Sequence, residues 1–259
     1  MIKIDSRTSE LESGVVCYAF DKALVDLKDN NFEVVSLPQM AQLRIQEGKN
    51  AKVSKNGNYV REGVIYIPKE GIYLARNSPL LQLELAKEAV QSHRNGREYF
   101  IETKIAEEYR EKASQEPKAE VFQLKNLEAI PTNRFNEDER TLWLFQSQAE
   151  DYGDFLRQAG IKEMPFFFNE EKYINKQEKP YANQLWLRRL DDRSLLFGGV
   201  GVLYYVGDVR GVRQVSDNSA QKISEQKSEL YTSRQITSAL KALKLQGLED
   251  QLLKKLRKR

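Results

Sequence analysis

A chain of 259 residues, 40% of them hydrophobic, can bury an ordinary core as one large domain or two small ones. Forty-one Lys and Arg against 38 Asp and Glu leave a net charge of only +3, so no nucleic acid partner is expected for the main body of the chain. No run of about eighteen apolar residues occurs and Met1-Ile2-Lys3-Ile4-Asp5 is not a charged leader ahead of an apolar segment, so no transmembrane segment or signal peptide is expected and cytoplasmic synthesis is implied.

Two apolar runs lie within residues 15 to 35, around the polar stretch Asp21 to Asn31. The single Cys17 sits in the first, Gly-Val-Val-Cys-Tyr-Ala-Phe, which excludes an intramolecular disulfide and reads as a small buried hydrophobe. Ser36-Leu37-Pro38-Gln39 combines a helix cap with a first-turn proline, predicting a helix through Arg44. Asn56-Gly57 and the apolar runs 64–68 and 72–74, separated by Gly71, predict a turn and a β-hairpin. Residues 79–92 and 102–115 carry helical periodicity; the second is highly charged and expected to be exposed. His93, the only histidine, precedes the Asn95-Gly96 turn and is expected as a polar residue at a helix end.

After the loop at Gln115-Glu116-Pro117-Lys118, residues 136–159 resume helix, with Asn136 or Thr132 as cap and Leu142, Leu144, Phe145, Ala149 and Phe155 as core candidates. Pro165-Phe166-Phe167-Phe168 leads into a polar run, Asn169 to Lys179, expected as a solvated loop. A strand-rich segment starts at Tyr181 and ends near Val212. Residues 214–232 have the composition of a connector. Thr232 to Arg259 is amphipathic and ends on Lys254, Lys255, Arg257, Lys258 and Arg259. Docking of a partner, oligomerisation, a membrane surface or packing on its own domain all fit such a helix.

From Leu187 to Arg213 there is no Lys, Glu, Gln, Met or Trp, although these five make up about 28% of the chain and about seven would be expected in such a window. None of the five is reachable from an Asn codon by changing its first two bases, whereas the eight residue types present all are. A strand–loop segment that excludes long charged side chains would show a milder form of the same bias.

Asn183-Gln184-Leu185-Trp186-Leu187 ahead of this window and Val209-Arg210-Gly211-Val212-Arg213 at its end resemble the terminal part of C-type lectin-like domains of the retroelement variable, sulfatase-modifying and phage-tail kind. Leu37-Pro38 resembles the helix start near the front of the same families. The resemblance implies an α+β, C-type lectin-like fold with helical insertions and a C-terminal basic helical tail. It places a ligand-binding domain at 1–214, with the helical insertion at about 79–160, and a linker and basic amphipathic helix at 215–259. It also implies a variable protein whose surface is diversified by a retroelement through adenine mutagenesis, of archaeal, viral or bacterial origin, binding a protein ligand and open to display on a virion or cell surface through a partner.

Period-two alternation then places Leu203 and Tyr205 inward with Trp186, Leu187 and Leu190. The expected ligand-binding set is Arg188, Arg189, Asp192, Arg193, Leu195, Phe197, Gly199, Val200, Gly201, Val202, Tyr204, Val206, Gly207 and Asp208. Arg and aromatic side chains suit protein recognition. An Arg of the closing strand is expected to bond backbone carbonyls.

Catalytic chemistry finds little support. One imidazole and one thiol cannot supply a zinc ligand set, a serine-type triad or the cysteine pair of the sulfatase-modifying relatives. Asp191-Asp192 reads as charge balanced by Arg188, Arg189 and Arg193, and no Glu-Pro-Asn-like calcium motif follows. Gly198, Gly199, Gly201, Gly207 and Gly211 lack the spacing of a phosphate loop and read as flexibility or randomised codons. No catalytic residue, metal or cofactor is expected. The alternative is a nucleic-acid-associated factor using the basic C-terminal helix.

Overall fold

The computed structural model describes residues 2–7, 11–114, 120–191, 194–199, 203 and 207–214. In chain order the elements are β1 (Lys3–Arg7), β2 (Leu11–Tyr18), α1 (Phe20–Asp29), β3 (Glu33–Val34), α2 (Leu37–Glu47), α3 (Lys52–Lys55), β4 (Asn58–Ile67) and β5 (Gly71–Ala75). There follow α4 (Leu83–Arg94), α5 (Thr103–Ser114), β6 (Val121–Leu124), β7 (Ile130–Pro131), α6 (Glu139–Phe145), α7 (Ala149–Gln158), β8 (Glu163–Met164) and β9 (Phe166–Phe167). The last are α8 (Glu171–Ile174), β10 (Tyr181–Leu187), β11 (Leu196–Phe197) and β12 (Gly207–Gln214).

One large sheet runs β1-β2-β12-β4-β10-β11-β9, with β3 against β12 and β5 bridging β4 to β6. Most of its ladders are antiparallel, but β12 lies parallel to β4 at Val209 and Tyr59, and β11 parallel to β9. β4 shows why the sheet is buried on both sides. Val60, Val64 and Tyr66 face a core shared with Met40 and Leu43 of α2, Phe145 of α6 and Tyr152 of α7. Tyr59, Ile65 and Ile67 face a second core with Phe20 and Leu27 of α1 and Ala89 and Val90 of α4. Because successive side chains alternate, a strand between two helical layers must be apolar at nearly every position. Leu187 and Leu203, expected inward, are both buried, Leu187 in the first core and Leu203 in the second, whereas Tyr205 lies outside the described residues.

The helix predicted after Ser36 forms with a complete capping box. The Ser36 hydroxyl accepts from Gln39 N–H and the Gln39 carboxamide accepts from Ser36 N–H. Both oxygens of Glu62, on β4, accept from Leu37 N–H at 3.0 and 3.1 Å, tying the helix start to the sheet. Burial raises the Glu62 pKa to about 7, against the lowering effect of that bond and of Arg61 and Arg76.

Several expectations are corrected. Residues 20–29, for which no element was expected, form helix α1, with Phe20, Ala23 and Leu27 buried. The region 79–160 is not purely helical, because β6 pairs with β5 from Val121↔Ala75 to Leu124↔Ile72. Leu142 is exposed, and its neighbour Trp143 is buried beneath the Arg76 guanidinium. Within Asn169 to Lys179, residues 171–174 form α8 and bury Ile174. Cys17 is exposed at the end of β2. Among the described residues, no helix is long and apolar enough to cross a membrane. The predicted connector and amphipathic tail, from 215 on, lie outside the described residues.

Candidate ligand-binding surface

The site is built where β10 ends and its chain turns outward. Trp186 lies against the backbone of Gly57, and a Cβ at Gly57 would collide with the indole ring, so only glycine allows this approach. Beyond it the backbone is held from below. Arg44 of α2, fully buried, donates to the carbonyl of Arg188 at 2.8 Å while also bonding the Val53 carbonyl and the Tyr152 hydroxyl. Leu190 N–H donates to the Ser54 carbonyl at 2.6 Å and Arg188 N–H to the Leu195 carbonyl at 3.0 Å. The backbone is fastened while the side chains of Arg188 and Arg189 reach outward, both paired with Asp191 at 3.2 and 3.0 Å. The charge balance expected for Asp191 is therefore present.

Lys55, Asn56, Gly57, Trp186, Arg188, Arg189 and Asp208 line a concavity of about 360 Å³. Three of the expected ligand-binding residues, Arg188, Arg189 and Asp208, come together here. Asp208 is held on both oxygens: the Cys17 thiol donates to Oδ1 and the Asn56 carboxamide to Oδ2, each at 2.7 Å. Burial first, then this bond and the Asp208 charge, push the Cys17 thiol up to about 11. The thiol is thereby held in its protonated form at neutral pH.

Other members of the predicted set lie elsewhere. Leu195, expected outward, is buried at 5% exposure, and Leu196 beside it is fully buried in the strand pair with Phe166. The correction has a physical cause: the chain here runs between β10 and β9, with Leu196 paired to Leu187 and Phe166 and part of the first core. Phe197 is half-buried. Gly199 is buried between the Phe197 ring and Asn169. Gly198, read as flexible or randomised, is sterically required, since a Cβ there would lie 2.5 Å from the Phe168 ring. Gly207 starts β12. Asp192, Arg193, Val200, Gly201, Val202, Tyr204 and Val206 lie outside the described residues.

In the closing strand the expectation for arginine is corrected in part. Arg210, fully buried, bonds the carboxylate of Asp5 at 2.5 and 2.9 Å and the Ser13 hydroxyl at 2.7 Å. Arg213 bonds the Glu12 carboxylate at 2.6 Å and one carbonyl, that of Asn30, at 3.3 Å. A guanidinium sealed among strands needs a countercharge, which a carbonyl does not supply. Gly211 is required by packing, its Cβ position lying 2.5 Å from Leu27. Sequence reasoning missed Arg44, Lys55 and Asn56; the Asn56-Gly57 turn was the available signal, read only as a hairpin feature.

No protein-family model matches the chain, and no curated protein matches it. A solved structure described as "Accommodation of massive sequence variation in Nanoarchaeota by the C-type lectin fold" superposes with a TM-score of 0.56 at 13% identity, over 79% of this chain and 97% of the other. The fold is that of a C-type lectin. Within this lectin-like fold the concavity sits between the end of β10 and the start of β12, where the sequence window begins and approaches its end.

Proposed function

We propose that this chain is a non-enzymatic recognition protein that binds a protein ligand through the surface around Arg188, Arg189 and Asp208, and that this surface is diversified by retroelement adenine mutagenesis. The observation that carries the proposal is the concavity in which these three members of the compositionally restricted segment meet Trp186 and Lys55 on a backbone fastened by Arg44. A rigid support with outward Arg and aromatic groups gives large contact area at small entropic cost. The lectin-like fold it shares with a protein described as accommodating massive sequence variation supports the reading. Display on a virion or cell surface through a partner belongs to the same proposal.

The gene provides the test. A near-identical copy of the coding region for residues 183–213, differing only at adenines and lying beside a reverse transcriptase gene, is expected. Substitutions among related copies should concentrate at Arg188, Arg189 and Asp208 and spare Leu196, Gly198 and Leu203, which are buried. Substitutions scattered without regard to adenines or to exposure would sink the diversification, and unaltered target binding by an Arg188→Ser, Arg189→Ser variant would sink the surface.

A further inference from the structure

Three arginines are buried among the described residues, and two of them have a carboxylate partner: Arg140 pairs with Asp138 at 2.6 Å and Arg210 with Asp5 at 2.5 Å. Arg44, fully buried, is the exception. Its Nε donates to the Val53 carbonyl at 3.2 Å and Nη1 to the Tyr152 hydroxyl at 2.9 Å, while Nη2 donates to the carbonyls of Arg188 at 2.8 Å and Asn56 at 3.4 Å. Every one of these acceptors is neutral, and among the described residues no carboxylate pairs with this guanidinium. The bonds satisfy its N–H groups but leave its charge uncompensated, and a buried charge is costly without a countercharge.

Asn56 and Arg188 both line the concavity of about 360 Å³, so the charge lies directly behind the peptide groups of two lining residues. Protein between two charges screens them less than water does. On the wall itself Lys55 is exposed, and Arg188 and Arg189 share the one carboxylate of Asp191. Asp208 already accepts on both oxygens, from Cys17 and from Asn56. Lys55, Arg188, Arg189 and the Arg44 behind them thus meet only Asp191 and Asp208, and the excess is positive. An anionic guest would balance it. A nucleic acid backbone takes an extended run of cations, which a single concavity on a chain of net charge +3 does not offer. A carboxylate side chain or two fits the space and the charge.

We infer that the concavity receives carboxylate side chains from an acidic segment of the protein ligand, whose charge balances that of Arg44; this rests on the reading of the surface as a protein-binding one. Because Arg44 and Lys55 lie outside the restricted segment 187–213, the preference belongs to the scaffold and persists when Arg188 or Arg189 is exchanged. The test titrates the full 15N-labelled chain in low-salt buffer with acetyl-tetraglutamate, acetyl-tetralysine and octathymidylate. Tetraglutamate should move the Gly57 and Arg189 amide resonances and saturate, tetralysine should leave them in place, and octathymidylate should bind more weakly than tetraglutamate. Lys55→Glu, at an exposed position, should weaken tetraglutamate by about fivefold or more. A folded Arg44→Gln chain should weaken it by about threefold or more. Unmoved resonances, tetralysine acting at the same amides, tighter octathymidylate binding, or an affinity unchanged by Lys55→Glu or by a folded Arg44→Gln would overturn the inference. If Arg44→Gln does not fold, Lys55→Glu decides. None of these outcomes alters the concentration of substitutions expected at Arg188, Arg189 and Asp208 among related copies, so this preference and the recognition surface fail separately.

Discussion

Arg188 to Asp191 and Leu195 to Gly199 draw on the same restricted set of residue types, yet the structure uses them in opposite ways. The first stretch gives its backbone to Arg44, Ser54 and Leu195 and its Arg side chains to the surface. The second sends Leu195 and Leu196 inward and packs Gly198 against an aromatic ring. Burial therefore accounts for the absence of Lys, Glu and Gln in only part of the segment. At buried positions the cost of taking a charge out of water is sufficient explanation. Only at positions that solvent reaches, Arg189 and Asp191 exposed and Arg188 and Asp208 half-buried, does the restricted vocabulary bear on the proposed codon randomisation. The concavity is narrower than the segment that borders it.

The contrast can be tested from its buried end outward. Arg210→Met removes a guanidinium from a pair whose partner Asp5 is itself buried, and leaving that carboxylate uncompensated should cost roughly 3–5 kcal/mol in urea unfolding. A loss below about 1 kcal/mol would mean that the closing strand is not sealed.

Glu62 calibrates the same core outside the segment. Its folded pKa of about 7 lies above the ordinary 4.5, so the folded state binds the proton more tightly. Its contribution to stability is complete below about pH 4.5 and is lost as pH rises through 7, about 3 kcal/mol in all. Glu62→Gln should flatten that slope in urea midpoints measured from about pH 5 to pH 8. An unchanged slope would remove Glu62 as its cause.

Gly198→Ala drives a methyl group into the Phe168 ring and should destabilise by about 1–3 kcal/mol. A neutral result would return Gly198 to the flexible class. At the outer end, Arg189→Ala should change stability by less than about 0.5 kcal/mol, since its pair with Asp191 is exposed. Target binding should nevertheless fall, and a thermal melt together with a binding assay separates the two effects.

Much of the local architecture was legible in the residues. Ser36-Leu37-Pro38-Gln39 specified a helix start whose bonds all lie within four residues. The runs flanking Gly71 specified a hairpin, observed as β4 and β5. Helix α1 was harder to see, because its polar face interrupts the apolar runs on either side. The candidate site was legible in part: Arg188, Arg189 and Asp208 were named, but the Lys55 to Gly57 turn that completes the wall was read only as a turn.

By itself the sequence determined which elements form wherever capping, turn chemistry and periodicity act over a few residues, and it ruled out an intramolecular disulfide because there is only one cysteine. The tertiary structure decided which of those elements are covered. Leu195 is interior where the chain runs between β10 and β9, Arg210 meets Asp5 some two hundred residues away along the chain, and Cys17 is exposed yet bonded to Asp208. Burial and ion pairing are set by partners far apart along the chain, and periodicity within one strand records that a face is covered without recording by what.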